Sequence, residues 1–292
     1  MTELGVQMRM HRILAIRTCF HRLLLSSPSL SAIATPYDSP PAMHTAHPIL
    51  AMHEARALAA LFGAGAPACD WIAMPLNAPG SPRGAFVGGN PLDGSWLFDA
   101  ELPGPWVFAW SGTLGDSLFA ADPVNWMRGP TALNALCAEL APQLQRHHKR
   151  LVLIPHARHV LSDARSALTW WCDQVIPGQD PNIVRHSPDI DRPFGLAFDP
   201  AAFLEPSMLA DIEDHMQSLF ASFGPRADVV ILRDATINET DPEQMTPCPL
   251  GSGRLPRACI RELLALHVPE STPIMVQGAA LNGSLEWLGR SA

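Results

Sequence analysis

The chain has 292 residues, 47% of them hydrophobic and 16% charged, and a formal net charge of -8. That length and apolar content suffice for a full core and exclude wholesale disorder. The acidic balance gives no electrostatic reason to bind nucleic acid or an anionic membrane, and Lys149, the only lysine, is the one residue a lysine-dependent mechanism could use.

In chain order, residues 1–10 read as a tail and 11–288 as a single barrel domain. Arg9, His11 and Arg12 precede Ile13–Ile16, but Arg17, His21 and Arg22 interrupt what would have to be the apolar core of a signal peptide. Ile13–Cys19 is expected to form the first strand. Ile49–Phe62 has helical periodicity, with Leu50, Leu58 and Leu61 as anchors and Gly63 as a stop. Cys69–Leu76 is a second apolar run. The Gly- and Pro-rich stretch 77–104 reads as a long surface excursion.

Beyond it the alternation is cleaner. Strands are expected at Trp106–Trp110, Arg150–Ile154, Phe194–Phe198, Val229–Leu232 and Ile274–Val276, and a short one at Ile183–Arg185. Helices are expected at Thr131–Gln145, at Ser162–Val175 with Ser162 as N-cap, at Pro206–Phe223 and at Leu255–Leu266. Strand–helix alternation implies a parallel sheet covered on both faces. No Gly-rich dinucleotide fingerprint or phosphate-cradling loop accompanies it, which favours a (β/α)8 barrel, irregular in its N-terminal third, over an open sheet. The six cysteines form no C-x-x-C pair. They read as packed thiols in a reducing compartment, hence the cytoplasm. No run is long and apolar enough to span a bilayer.

In a parallel barrel, chemistry gathers where strands end. His156 and His159 lie just past one strand end, where a histidine can serve as a general base or simply bond to backbone. Asp199 follows the next strand, as a site carboxylate or as the N-cap of the turn beyond. Arg233 and Asp234 end a third. There Asp234 reads as a turn carboxylate with a possible second role at the site, and Arg233 could meet a developing oxyanion. Gln277 ends the last strand, where its amide could hold a hydroxyl. Trp110 could stack on a sugar ring, against the blander reading of core packing.

These strand ends resemble the xylose-isomerase-like barrels, the sugar-phosphate isomerase/epimerase superfamily. Arg150-Leu-Val-Leu-Ile-Pro-His156 resembles that family's strand ending in Glu-Asn-His or Glu-Pro-His. Gly195-Leu-Ala-Phe-Asp-Pro-Ala201 resembles the strand ending in Asp-Pro-Ala-His or Asp-Thr-Gly-His. Ile231-Leu-Arg-Asp234 resembles His-Leu-Lys-Asp, and Pro249-Leu-Gly-Ser-Gly-Arg-Leu255 the Gly-x-Gly segment that opens the last helix. Pro273-Ile-Met-Val-Gln-Gly278 resembles a strand ending in Glu-Gly. The family chelates one divalent metal with two Glu, one Asp and one His. By this match Ile154, Ile231 and Gln277 stand at three ligand positions, only Asp199 survives, and Ala202 replaces the His that follows it. One carboxylate and a neutral amide do not hold such an ion, so no metal or other cofactor is expected.

The resemblance thus implies an isomerase/epimerase-like barrel that has lost most of its chelators. Its expected partner is a sugar or polyol, bound with weak or no catalysis through Asp234, Gln277, Trp110 and Arg233. An active isomerase is the alternative, working by metal-free acid–base chemistry with His156 as base and Asp199 orienting it. A non-catalytic interaction scaffold is the third reading.

Overall fold

The computed structural model describes residues 46–51, 71–73, 84–178, 192–277 and 281–289. Eight strands close into a barrel in the ring order β1-β10-β7-β6-β5-β4-β3-β2. They are β1 Ala46–Ala51, β2 Trp71–Ala73, β3 Gly84–Phe86, β4 Trp106–Trp110, β5 Arg150–Ile154, β6 Phe194–Phe198, β7 Val229–Leu232 and β10 Ile274–Gln277. Two further strands, β8 Asp234–Ile237 and β9 Met245–Cys248, pair antiparallel as a hairpin outside the ring.

Five expected strands stand where the sequence puts them, β10 running one residue longer. Each is an apolar run buried on both faces, the pattern of a covered parallel sheet. Alternation then divides the side chains. Phe108, Trp110, Val152, Ile154, Ala197, Val229, Ile231 and Met275 fill the barrel interior. Val107, Leu151, Leu153, Leu196, Phe198, Val230, Leu232 and Val276 face the helices.

The first part of the ring departs from expectation. Ile49–Ala51 belong to β1, not to a helix: Ala46–Ile49 pair in parallel with β10, and Ile49–Ala51 pair antiparallel with β2. The supposed surface excursion 77–104 contributes β3, which lies parallel to β4. β2 runs antiparallel to both its neighbours, whereas a regular barrel is parallel throughout. The 74–83 connection is too short for a helical crossover, and an antiparallel pair needs none. The ring closes on β1; Ile13–Cys19, expected as the first strand, and Ile183–Arg185 lie outside the described residues.

Four helices follow the alternation: α1 Val124–Arg146, α2 Ala164–Trp170, α3 Ile212–Phe223 and α4 Arg257–His267. α5, Leu281–Trp287, follows β10. Leu133, Cys137, Leu140 and Leu144 of α1, and Met216, Phe220 and Phe223 of α3, recur at helical spacing and are buried. α1 starts well before the expected Thr131. Asp122 accepts the Val124 amide at 2.9 Å, and Pro130 sits inside the helix. Asp163, not Ser162, caps α2 through a reciprocal box with Ser166; Trp171–Val175 then widen to a π turn. Pro206–Asp211 form a 3-10 turn ahead of α3.

The N-terminal end of the barrel is closed by an ion pair. Arg150 reaches Asp228 at 2.8 Å, and the second Asp228 oxygen accepts the Leu196 amide at 2.9 Å. A side chain at Gly195 would meet that carboxylate at 2.6 Å, so glycine is what admits it. Lys149 lies at the same end, donating to the Leu102 and Gly104 carbonyls at 2.5 and 2.6 Å, so the one lysine ties down a loop away from the strand ends. Among the described residues Cys137, Cys172, Cys248 and Cys259 are free thiols, and no helix is long and apolar enough to cross a membrane.

Candidate functional site

The interior rows continue past the strand ends into the polar residues of the mouth. Asp199 carries on from Ala197, and Arg233 from Val229 and Ile231. By the β6–β7 register, in which Ala197 faces Val229, Asp199 lies level with Ile231, and Arg233 stands one layer above. Arg233 folds back: its Nε donates to Asp199 Oδ2 at 2.5 Å. Its guanidinium carbon lies 5.4 Å from the centre of the Trp110 ring, a cation–π distance.

Asp199 is 1% exposed. Its other oxygen accepts the Ala201 and Ala202 amides at 3.1 and 3.3 Å, capping the 3-10 turn Pro200–Phe203. Burial pushes its carboxyl pKa up; the Arg233 charge and the two amides pull against this. The N-cap reading of Asp199 holds, since one oxygen caps the turn; the other is taken up by Arg233.

His156 follows β5 in the sharp turn that ends at Leu161, where its amide donates to the Leu161 carbonyl at 3.2 Å. Its Nδ1 accepts the Arg158 amide at 3.1 Å. A lone pair that accepts carries no proton, so the neutral ring is assigned its proton on Nε2. Burial holds its pKa well below the usual histidine range, and the neighbouring His159, Arg233 and Arg158 add to this. His159 is fully buried against it, the two rings 4.8 Å apart. Both His159 nitrogens are buried, and burial pushes its pKa down to about 3 against the opposing pull of the Leu118 backbone. Phe119 and Trp110 complete this aromatic wall, each within 6 Å of both histidines.

Arg158 grips Glu205 with both ends of its fork at 2.9 Å and donates to the Phe119 and Glu243 carbonyls. That clamp joins the β5 turn to the β8–β9 hairpin. Between them lies a cavity of about 290 Å³, lined by Trp110, Phe119, His156, Arg158 and Arg233 from the barrel and by Asn238, Gln244, Met245 and Thr246 from the hairpin.

The expected site residues are thus only partly brought together. His156, Trp110 and Arg233 line the cavity, and Asp199 lies beneath Arg233. One Trp110 face is covered by Arg233. Asp234 is turned away. It is fully buried and accepts the amides of Ala235, Gly251 and Leu255 at 2.9, 3.1 and 2.9 Å. A side chain at Gly253 would meet Asp234 at 2.4 Å, so the Gly-Ser-Gly segment wraps this carboxylate. Gln277 is the last residue of β10; its side chain lies outside the described residues. Sequence reasoning did not assign Phe119, Glu205 or the hairpin residues to the site. Nothing in their local pattern marks them, because they arrive there by loop paths.

The described residues do not fit a divalent cation. Ile154 and Ile231 are 2% and 4% exposed aliphatic groups of the interior. The oxygens of Asp199 already face two amides and a guanidinium, and that guanidinium stands against the carboxylate as a cation would. Among the described residues no three His, Cys, Asp or Glu side chains converge.

No protein-family model and no curated protein matches the sequence. Solved structures do match the fold. A xylose isomerase-like TIM barrel protein from Mycobacterium smegmatis, in complex with magnesium, superposes with a TM-score of 0.39 at 14% identity, over 64% of this chain and 60% of that one. A xylose isomerase domain protein from Planctomyces limnophilus gives 0.36 at 15%, over 64% and 59%. A fusion of a xylose isomerase-like TIM barrel with 4-hydroxyphenylpyruvate dioxygenase gives 0.34 at 16%, over 60% and 24%. The match spans less than two thirds of each of these proteins. All three carry the xylose isomerase name in their descriptions.

Proposed function

We propose that the barrel mouth binds a small sugar or polyol, and that the chain works by binding rather than by turnover. The observation that carries this reading is the 290 Å³ cavity at the strand ends, with aromatic walls and hydrogen-bonding groups from both the barrel and the hairpin. Its volume is at the small end for ligand sites, about 300 Å³ upward.

Turnover by proton transfer needs a basic lone pair aimed at the substrate. The His156 lone pair is engaged by the Arg158 amide, and Nε2 brings a proton instead. Asp199 lies beneath Arg233, held by an ion pair and two amides. Neither group is placed as a base, which favours the binding reading over metal-free isomerisation.

A thermal-shift series with sugars and polyols tests it. A ligand that binds the folded chain raises Tm by mass action, so at least one compound is expected to do so at millimolar concentration. A flat response across the series would sink the reading. Solvent deuterium appearing in a bound sugar's C–H positions would restore the isomerase.

A further inference from the structure

The charged groups at the cavity do not balance where a ligand would touch them. Arg158 and Glu205 neutralise each other through a two-pronged bond. Arg233 uses only Nε on Asp199; among the described residues its two terminal nitrogens have no partner. Asp199 itself does not line the cavity. The assigned His156 tautomer leaves Nε2–H as a second donor on a ring that lines the cavity.

We infer that the ligand carries an oxyanion, a carboxylate or a phosphate ester, seated on the terminal nitrogens of Arg233 with His156 Nε2–H as a second donor. This rests on the small-molecule reading above and adds the chemical class. The planar fork of an arginine matches two oxygens of either anion. It is also held in place beforehand, by Asp199 on one edge and Trp110 on one face, so little side-chain freedom is lost on binding. The guanidinium thus supplies the fixed positive charge of a mouth whose described residues do not suit a divalent ion. The depressed pKa of His156 keeps its ring neutral at pH 7, a donor of unchanging form.

Calorimetric titration of the full chain with gluconate, glucose 6-phosphate and glucitol decides the matter. At least one of the two anions is expected to bind about tenfold or more tightly than glucitol, and which one does so separates carboxylate from phosphate. The preference should weaken as salt rises. The double variant R233Q/D199N, which removes both charges together and so avoids a lone buried carboxylate, should bind all three alike. Glucitol binding as tightly as both anions would overturn the oxyanion and leave the polyol reading standing. Binding of none of the three would overturn both. An anion preference that survives in the folded double variant would remove Arg233 from the assignment.

Discussion

At the scale of single residues, the mouth shows how burial sets protonation. His159 is enclosed by Trp110, Phe119 and His156, with its pKa near 3. An unfolded chain takes up that proton around pH 6.5, while the folded one refuses it until far lower. Stability therefore falls as pH drops between these two values, by about 1.4 kcal/mol per pH unit for this one group. Urea unfolding at pH 7 and pH 5 is expected to show about 2 kcal/mol more loss for the natural chain than for H159F. Equal losses would mean that His159 titrates normally. Asp234 makes a different case: three amides, two of them buried, depend on its oxygens. D234A leaves them without an acceptor, at about 1–3 kcal/mol each before relaxation. A stability loss of about 3 kcal/mol or more is expected, with faster proteolysis around 249–255. A loss below about 1 kcal/mol would show that water replaces the carboxylate.

Elements add constraints that residues alone do not reveal. Gly129 lies inside α1, where alanine would normally gain about 1 kcal/mol of helix propensity. Here a Cβ would meet Val160 Cγ2 at 2.6 Å and Cγ1 at 2.8 Å, both on one stiff branched side chain. Overpacking costs about 1–3 kcal/mol, so G129A is expected to be less stable, not more; a rise in Tm would mean that the β5 turn shifts freely. The β8–β9 hairpin poses the opposite question, of how an element outside the ring is held. Arg158 joins Glu205 to the Glu243 carbonyl, and Asp234 fixes the hairpin's other end. R158A should speed amide hydrogen exchange across 234–248 while leaving β4–β7 protected. Unchanged exchange would place the clamp elsewhere.

The whole molecule separates stability from recognition along the barrel axis, as parallel barrels do. Arg150 and Asp228 close one end; the cavity opens at the other. Removing one partner of a buried pair leaves an uncompensated charge, at about 3–5 kcal/mol. D228A is expected to lose that much, and the double variant R150M/D228A to recover most of it. Both should bind mouth ligands with unchanged affinity wherever they remain folded. A double variant as unstable as D228A would place the loss on the Leu196 amide, which loses its acceptor in both variants.

Much of this was legible in the residues alone. Arg150–Ile154, Phe194–Phe198 and Val229–Leu232 declare themselves as strands, because apolar runs of this length between polar or turn residues are too short for a buried helix. Their two-residue period separates the side chains into two faces, and the closed ring decides that Ile154 and Ile231 look into the barrel while Leu153 and Leu232 look out. The early ring was not legible: β1 runs into a stretch that reads as helix and the short β3 lies in one that reads as loop, so only pairing with other strands makes them β. Nor could local pattern say that Arg233 turns onto Asp199, that the His156 lone pair meets the Arg158 amide, or that Asp234 leaves the mouth for the 249–255 segment. Beyond a strand's last ladder bond nothing periodic directs a side chain. It follows whichever charge or unpaired amide the fold brings near, and those partners lie up to 34 residues away along the chain.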